Sequence, residues 1–218
     1  YLKPIPPERK EVNQFDIKPD SDRAEMHRKY FRTLAAVDEN VGRLLKALDD
    51  LHLAESTVVV YASDNGFYLG EHGLGDKRSA YEESIRIPLL VRAPGLADKG
   101  KVIDEMVLNI DLAPTLLDLA GVAVPAEMQG RSWKPLLAGE PVQWRKAFFY
   151  EYFLEAGMGP PTVLAVRAEA AKLIKYPGHD DWTELFDFKT DPYEMRNLFA
   201  EAAHADLRKR MEQEYDRQ

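Results

Sequence analysis

A short apolar run, TVVVYAS at residues 57–63, constrains the fold more than any other feature of the sequence. Its β-branched residues and its lack of alternation are typical of a strand covered on both faces in a parallel sheet. The run ends at Asp64, where the polar, glycine-rich stretch SDNGFYLGEHGLGDK continues to residue 77. In open α/β sheets, ligand sites form beyond the carboxyl ends of the strands, so this polar loop lies where a site is expected.

The residues on both sides of the run complete the pattern of an α/β domain. Upstream, a capping-box sequence opens at Asp22, and apolar residues then recur every three or four positions as far as Leu51. This spacing predicts a long amphipathic helix. Downstream, the run IPLLVRAPG at residues 87–95 predicts a second strand. The following LAPTLLDLA predicts a helix with Asp111 as its N-cap and Gly121 at its C-terminal stop.

The pattern changes after about residue 140. Four short apolar runs bounded by Gly, Pro and Asp predict a small antiparallel sheet: KAFFYEYF, TVLAVRAE, AAKLIKYP and TELFDFKT. Residues 201–218 are polar and favour a helix, which we expect to pack one stripe against that sheet. The predicted organisation is therefore an extended linker segment at 1–19, an α/β part at 20–140 and a small α+β subdomain at 141–218.

Composition limits the functions open to the chain. Its 218 residues are 45% hydrophobic, which is enough to bury the core of one large domain or two small ones. The formal net charge of −8 argues against a general nucleic-acid or anionic-membrane surface. The sequence has neither an apolar stretch of the ~18 residues that a membrane span needs nor the apolar core of a signal peptide. The absence of cysteine excludes disulfides and thiolate metal sites, and it fits both a reducing cytosol and a bacterial periplasm.

Five side chains in the polar loop or directly after it are candidates for chemistry. Asp64 and Asn65 offer adjacent carboxylate and amide oxygens, which suit Ca²⁺ or Mg²⁺. His72 can exchange a proton with a leaving group near neutral pH, and Lys77 can stabilise a developing oxyanion, with Arg78 as a weaker anion contact. Taken singly, these residues also fit a tight turn and solvated surface charges. Nearby carboxylates fit either extra metal ligands or solvated charges: Glu71, Asp76, Glu82 and Glu83.

Several motifs, in the same order, resemble the sulfatase family of the alkaline phosphatase superfamily. SDNG, LGEHGL and DKRSAYEESIRIPLLVRAPG are similar to the second signature region of carbohydrate sulfatases such as N-acetylglucosamine-6-sulfatases and iduronate sulfatases. The helix and strand before that region, NIDLAPTLLDLAGV after it and ELFDFKTDPYEMRNL near the end extend the resemblance over nearly the whole chain. It implies an α/β fold, with part of an alkaline-phosphatase-like, mainly parallel sheet and flanking helices. A small C-terminal antiparallel sheet with a terminal helix follows.

The resemblance also implies roles for the candidate residues. In sulfatases, oxygen ligands from two parts of the chain hold a calcium ion, and Asp64 and Asn65 match the downstream pair; Mg²⁺ is the alternative ion. Lys77 matches the lysine that contacts the sulfate group. His72 lies where loop residues face the substrate, and Arg78 matches a weaker contact to sugar or sulfate. The implied activity is hydrolysis of sulfate esters of carbohydrates.

The departures from the family pattern are informative. Sulfatases carry an upstream Cys-x-Pro-Ser-Arg motif, whose cysteine becomes the formylglycine nucleophile, and an early acidic pair for the metal. Neither is present here, nor is a serine version of the motif. We therefore expect a C-terminal portion of a sulfatase that is inactive alone, with formylglycine on an upstream part. The expected partners are a sulfated carbohydrate and either that upstream part or a second copy of the chain. The resemblance alone implies a periplasmic or secreted location, or a lysosomal one in a eukaryote.

Two other interpretations stay open. A phosphoesterase of the same superfamily would bind phosphate with similar metal ligands and strands, and the residue at the nucleophile position would discriminate it. A non-catalytic module would bind a partner through the small sheet and terminal helix, and an open reading frame starting just before Tyr1 would favour it. The LGEHG and DKRSAYEES stretches favour sulfate.

Overall fold

A computed structural model describes residues 23–155 and 160–218. These residues form five α-helices and six strands, in the order α1 Arg23–Asp50, β1 Val59–Ala62, α2 Glu82–Ile85, β2 Leu89–Arg92, α3 Leu112–Leu119, α4 Lys134–Ala138, β3 Ala147–Tyr152, β4 Val163–Ala168, β5 Ala171–Lys175, β6 Glu184–Asp187 and α5 Ala205–Arg217. The predictions for residues 1–19 and for the capping box at Asp22 lie outside the described residues.

The described residues group into two units, each assembled from separated stretches of the chain. The first unit comprises the start of α1 as far as Thr33, residues 65–87 and residues 147–218. The second unit comprises residues 34–64 and 88–146. Residues 65–77 of the polar loop and the C-terminal sheet therefore belong to the same unit.

The long helix predicted from the apolar spacing is confirmed as α1, which runs for 28 residues. It ends where His52 takes a left-handed conformation, with φ of 57°. The N–H of Leu53 then bonds to the carbonyl of Leu48 at 2.8 Å, and that of His52 to the carbonyl of Asp49 at 3.0 Å. These two bonds satisfy carbonyls that the last turn of a helix leaves without partners.

The second unit corrects one expectation about β1. Within the described residues β1 pairs only with β2, and the two strands run antiparallel, with Val60 opposite Val91. Both strands are half-buried to exposed, whereas the sequence predicted a parallel strand covered on both faces. The apolar run specifies an extended segment but carries no information on the direction of its neighbour. The core of this unit instead gathers around α4, from Ala93, Trp133, Leu136 and Leu137.

Asp111 precedes α3 as predicted, but it does not act as its N-cap. Its backbone is already helical and its carboxylate makes no capping bond to α3. The fully buried carboxylate accepts the N–H groups of Leu108 and Arg131, each at 2.7 Å, and pairs with both Nη atoms of Arg145. The predicted stop at Gly121 is confirmed, because its φ is 71°.

The first unit is built on the predicted C-terminal antiparallel sheet, which is confirmed with strand order β3-β4-β5-β6. Alternate residues of its strands face opposite sides, so each face has its own core. One face packs against α5, through residues such as Leu173 and Met211. The other face packs against the polar loop, through residues such as Ile174, Tyr68 and Tyr81. The polar loop therefore packs on one face of the sheet. The predicted packing of the terminal helix on the sheet is confirmed.

Candidate active site

The start of the polar loop is fixed by a close backbone contact at Gly66. Its N–H donates to the carbonyl of Ser84 at 2.7 Å. A Cβ at this position would lie 2.0 Å from the carbonyl oxygen of Glu83, which no side chain tolerates. Only glycine allows the backbone after Asn65 to lie against α2 in this way.

The structure brings together two of the predicted site residues, Asn65 and Lys77. The Nζ of Lys77 donates to Oδ1 of Asn65 at 2.7 Å, and both residues are half-buried. The backbone of Lys77 is held as well, because its carbonyl accepts the hydroxyl of Ser84. An ammonium group and an amide oxygen are thus presented side by side on a braced loop.

Asp64 is exposed, and its Oδ1 accepts the hydroxyl of Ser63 at 3.5 Å. The division between the two units falls between Asp64 and Asn65. Their carboxylate and amide oxygens are of the hard type that Ca²⁺ and Mg²⁺ prefer, but Ca²⁺ takes six to eight oxygens. In residues 23–155 and 160–218, no group of three or more His, Asp or Glu residues could hold a metal ion. The pair therefore fits a hard cation in chemical type, and a complete shell needs further ligands.

His72 lies inside the loop, with only 3% of the residue exposed. Its Nε2 is hydrogen-bonded to Oε2 of Glu83 at 3.0 Å, and its ring stacks on Tyr81 with centroids 4.2 Å apart. Burial raises the pKa of the Glu83 carboxyl. The backbone of His72 has a left-handed φ of 55°, and two nearby glycines, Gly70 and Gly73, also have positive φ. The sequence predicted a side chain facing substrate, whereas the folded turn directs the ring towards the core.

Arg78 is largely buried between two carboxylates. It forms an ion pair with Asp76, and its Nη2 lies 3.6 Å from Oε2 of Glu155. The hydrogen bond that Arg78 donates to the Asp76 carboxylate raises the pKa of the Arg78 guanidinium above its usual range. A substrate anion would have to compete with both carboxylates for this side chain.

The carboxylates that fitted either extra metal ligands or surface charges all have partners in the first unit. Glu71 accepts the N–H of Leu69 at 2.6 Å. The other three pair with cationic or histidine side chains: Asp76 with Arg78, Glu82 with Arg167 and Lys172, and Glu83 with His72. These contacts assign the four carboxylates to holding the loop together.

The structure also contains a buried charged cluster that the sequence analysis missed. Lys172 and Glu194 are 0% and 1% exposed, and the Nζ of Lys172 lies 2.7 Å from Oε1 of Glu194 and 2.8 Å from Oε1 of Glu82. Burial raises the pKa of Glu194 to about 7, against the opposing effect of Lys172. One feature of the sequence could have indicated this cluster. The strand AAKLIKY carries a lysine among apolar residues, and a lysine that is buried with them needs a charged partner.

Two family models cover the chain between them. Residues 3–122 match the model described as Sulfatase, and residues 70–218 match the one described as N-sulphoglucosamine sulphohydrolase, C-terminal. The chain belongs to the sulfatase family. The sequence-based resemblance to sulfatases is confirmed, and the chain corresponds to a C-terminal region of these enzymes.

Known sulfatases are similar to the chain over most of its length. The N-acetylglucosamine-6-O-sulfatase of Bacteroides thetaiotaomicron is 43% identical over 190 residues, which is 85% of this chain and 34% of that protein. A solved sulfatase-like structure, described as a complex with its substrate D-glucosamine-2-N,6-O-disulfate, is 41% identical. It has a TM-score of 0.81 and covers 85% of this chain and 38% of its own. The chain therefore spans about a third of the length of the relatives it matches.

The fold is shared with a second class of hydrolase. The phosphonate monoester hydrolase of Agrobacterium radiobacter is 26% identical with a TM-score of 0.80, over 88% of this chain and 41% of that one. These likenesses confirm the predicted α/β fold class with its C-terminal antiparallel sheet. In the part of the sulfatase chain that the structure describes, no helix is long and apolar enough to cross a membrane.

Proposed function

We propose that the protein to which this chain belongs hydrolyses sulfate esters of carbohydrates, and that this chain supplies part of its sulfate site and metal site. The observation that carries the proposal is the hydrogen bond between Lys77 Nζ and Asn65 Oδ1, within a loop braced by α2, in a member of the sulfatase family. A sulfate monoester presents non-bridging anionic oxygens, and these are groups that an ammonium side chain binds.

The role proposed for Lys77 is electrostatic. Its ammonium group binds a non-bridging sulfate oxygen and stabilises the negative charge that grows as the bond between sulfur and the sugar oxygen breaks. Its position is set in advance by the bond to Asn65 and by the Ser84 hydroxyl on its carbonyl. Because the net charge of the chain is −8, capture of an anion depends on such local cations.

Asp64 and Asn65 are proposed as two ligands of a calcium ion, with Mg²⁺ as the alternative, and the other ligands come from elsewhere in the protein. The bound ion would polarise the sulfate oxygens. The nucleophile, proposed as a formylglycine, and the proton donor for the leaving sugar oxygen are also assigned to other parts of the protein. The burial of His72 supports a role in holding the loop, and Arg78 is proposed as a peripheral substrate contact.

We propose a 6-O-sulfated amino sugar as the substrate. The proposal is supported by the similarity to an N-acetylglucosamine-6-O-sulfatase and to a structure described with D-glucosamine-2-N,6-O-disulfate as its substrate. A second candidate is hydrolysis of phosphonate monoesters, which is supported by the likeness to a phosphonate monoester hydrolase. The two candidates differ in the group that is released.

The test uses the protein expressed from the complete open reading frame, with calcium present. Sulfate release is measured from N-acetylglucosamine 6-sulfate and, as a positional control, from N-acetylgalactosamine 4-sulfate, and hydrolysis of a phenyl phosphonate monoester is measured in parallel. The proposal expects rapid release from the 6-sulfate only, with activity lost after a chelator and restored by calcium. Preferred hydrolysis of the phosphonate would overturn the sulfatase assignment.

We also propose that another part of the protein, or a second copy of the chain, covers apolar residues that this chain leaves exposed, such as Leu44 and Leu90 in the second unit. Residues 1–218 alone should then self-associate in size-exclusion chromatography, while the complete protein should elute at a single defined size. A periplasmic, secreted or lysosomal location is proposed from the family membership, and fractionation of the source cells tests it.

A further inference from the structure

The short helix α2 holds both residues of the Asn65–Lys77 contact from behind. The carbonyl of Ser84 accepts the N–H of Gly66 at 2.7 Å, which fixes the backbone directly after Asn65. The hydroxyl of the same residue donates to the carbonyl of Lys77. A displacement of α2 would therefore move both ends of the contact.

The position of α2 is set in turn by charged groups of the C-terminal sheet and the turn that follows it. The N–H of Glu82, the first residue of α2, donates to Oε2 of Glu194 at 2.7 Å. The carboxylate of Glu82 lies 2.8 Å from Nζ of Lys172 and 3.2 Å from Nη2 of Arg167. Lys172 completes the cluster through its 2.7 Å contact with Oε1 of Glu194. The carboxylate of Glu194 thus contacts both the first residue of α2 and Lys172 on β5.

Two properties of Glu194 indicate that its geometry matters more than its contribution to stability. Its backbone has a φ of 53°, a left-handed conformation that residues other than glycine rarely adopt. Its carboxylate is buried beside a fully buried lysine, and such ion pairs often stabilise a fold no more than apolar residues of the same size would. The backbone N–H and the carboxylate of Glu82 both contact this pair, so the position of α2 on the sheet depends on Glu194 and Lys172.

We propose that Glu194 is a positioning residue of the sulfate site, which fixes α2 together with Lys172 and so fixes the backbone that carries Asn65 and Lys77. The inference rests on the proposed function only for its kinetic consequence. Its structural consequence, that the loop loosens when Glu194 is changed, stands independently of the reaction.

The structural consequence is tested by amide hydrogen exchange in the complete protein, comparing Glu194→Gln with the wild type. The control is Glu169→Gln, the same chemical change at an exposed residue of the β4–β5 turn. Exchange of the peptide covering residues 64–78 should be about tenfold faster in Glu194→Gln, because the Gly66 N–H loses its fixed acceptor, and unchanged in the control. Wild-type exchange of this peptide in a folded Glu194→Gln protein would overturn the inference.

The kinetic consequence is tested by a double-mutant cycle with Lys77→Ala. Glu194→Gln should lower kcat for the sulfate ester about tenfold with KM within twofold, because the group that stabilises the transition state is misplaced. In the Lys77→Ala background the same change should lower kcat by less than twofold. Equal losses in both backgrounds would mean that Glu194 acts on overall stability alone, and the inference would be wrong.

A second variant covers the case in which Glu194→Gln does not fold. Glu194→Asp keeps the carboxyl group but shortens the side chain by one methylene, so it cannot hold both the N–H of Glu82 and Nζ of Lys172 as Glu194 does, and the same exchange and kinetic changes are expected. A folded Glu194→Asp protein with wild-type exchange at residues 64–78 contradicts the inference. If the complete wild-type protein released no sulfate, the proposed function would fail, and the exchange experiment would still decide the role of Glu194.

Discussion

Single residues in the polar loop have requirements that follow from their backbone contacts. Gly66 is the clearest case, because a Cβ there would lie 2.0 Å from the carbonyl oxygen of Glu83 and 2.8 Å from that of Ser84. We expect Gly66→Ala to lower the free energy of unfolding by ~1–3 kcal/mol, as other overpacked substitutions do. Urea denaturation of the complete protein measures the change.

Gly42 provides the matched control for this substitution. It lies in α1, and a Cβ there would meet nothing within 4 Å. Gly42→Ala should leave the free energy of unfolding unchanged or raise it by up to about 1 kcal/mol, because alanine favours the helix. Equal effects of the two substitutions would mean that the contact between Gly66 and α2 does not exist.

Glu194 makes stability depend on pH in a defined direction. Burial raises the pKa of its carboxyl from 4.5 to about 7, so the folded protein holds the proton more tightly than the unfolded chain does. Its contribution to the free energy of unfolding is then fully present below about pH 4.5 and is lost as the pH rises to about 7. The difference in unfolding free energy between the wild type and Glu194→Gln should therefore fall by roughly 1–3 kcal/mol across this window.

Urea denaturation of both proteins at pH values from 4.5 to 8 measures that difference. A difference for Glu194 that stays flat over this range would mean that pairing with Lys172 dominates over burial.

The site residues differ in how far the sequence could specify them. Asn65 and Lys77 follow from the motif, since the loop between them is short and rich in glycine, and the structure brings the two together. The burial of His72 could not be predicted, because it depends on a left-handed turn and on stacking against Tyr81. The roles of Glu82 and Glu194 were also hidden, since they depend on contacts with Lys172 from distant parts of the sequence.

Among the elements, the packing of α5 on the C-terminal sheet gives the sharpest prediction. Met211 is 4% exposed and belongs to the core between α5 and the sheet. Met211→Ala should lower the free energy of unfolding by ~2–5 kcal/mol, because the truncated side chain leaves a cavity in a buried core. Met128→Ala removes the same side chain at a position that is 37% exposed, and it should cost less than about 0.5 kcal/mol.

Thermal and urea denaturation of the two methionine variants compare them directly. A loss in Met211→Ala no larger than that in Met128→Ala would mean that α5 does not pack on the sheet as described. The same pair tests whether the C-terminal helix is part of the folded core.

The elements themselves were predictable where their patterns are local. Helix α1 and strands β3 to β6 carry their periodicity within their own residues, and all were found where predicted. The antiparallel pairing of β1 with β2 was not predictable, because a continuous apolar run fits either direction of pairing. Asp111 shows the same limit, since the choice between capping α3 and binding Arg145 depends on a residue far along the chain.

At the scale of the whole molecule, the chain is a sulfatase region that spans about a third of its relatives, and it brings together Lys77 and Asn65, the contact proposed to bind the sulfate group. The proposed mechanism divides the work: Lys77 and the Asp64–Asn65 pair act from this chain, and the nucleophile acts from another part of the protein. We therefore expect activity to depend on both parts together and on Lys77 in particular.

The most direct measurement is the rate of sulfate release from N-acetylglucosamine 6-sulfate by the complete protein and its Lys77→Ala variant, with Lys189→Ala as an exposed lysine control. Removal of a preorganised group that stabilises transition-state charge should lower kcat by on the order of 10²–10³, while the control keeps the wild-type rate. A Lys77→Ala protein that folds and turns over at the wild-type rate would contradict the account.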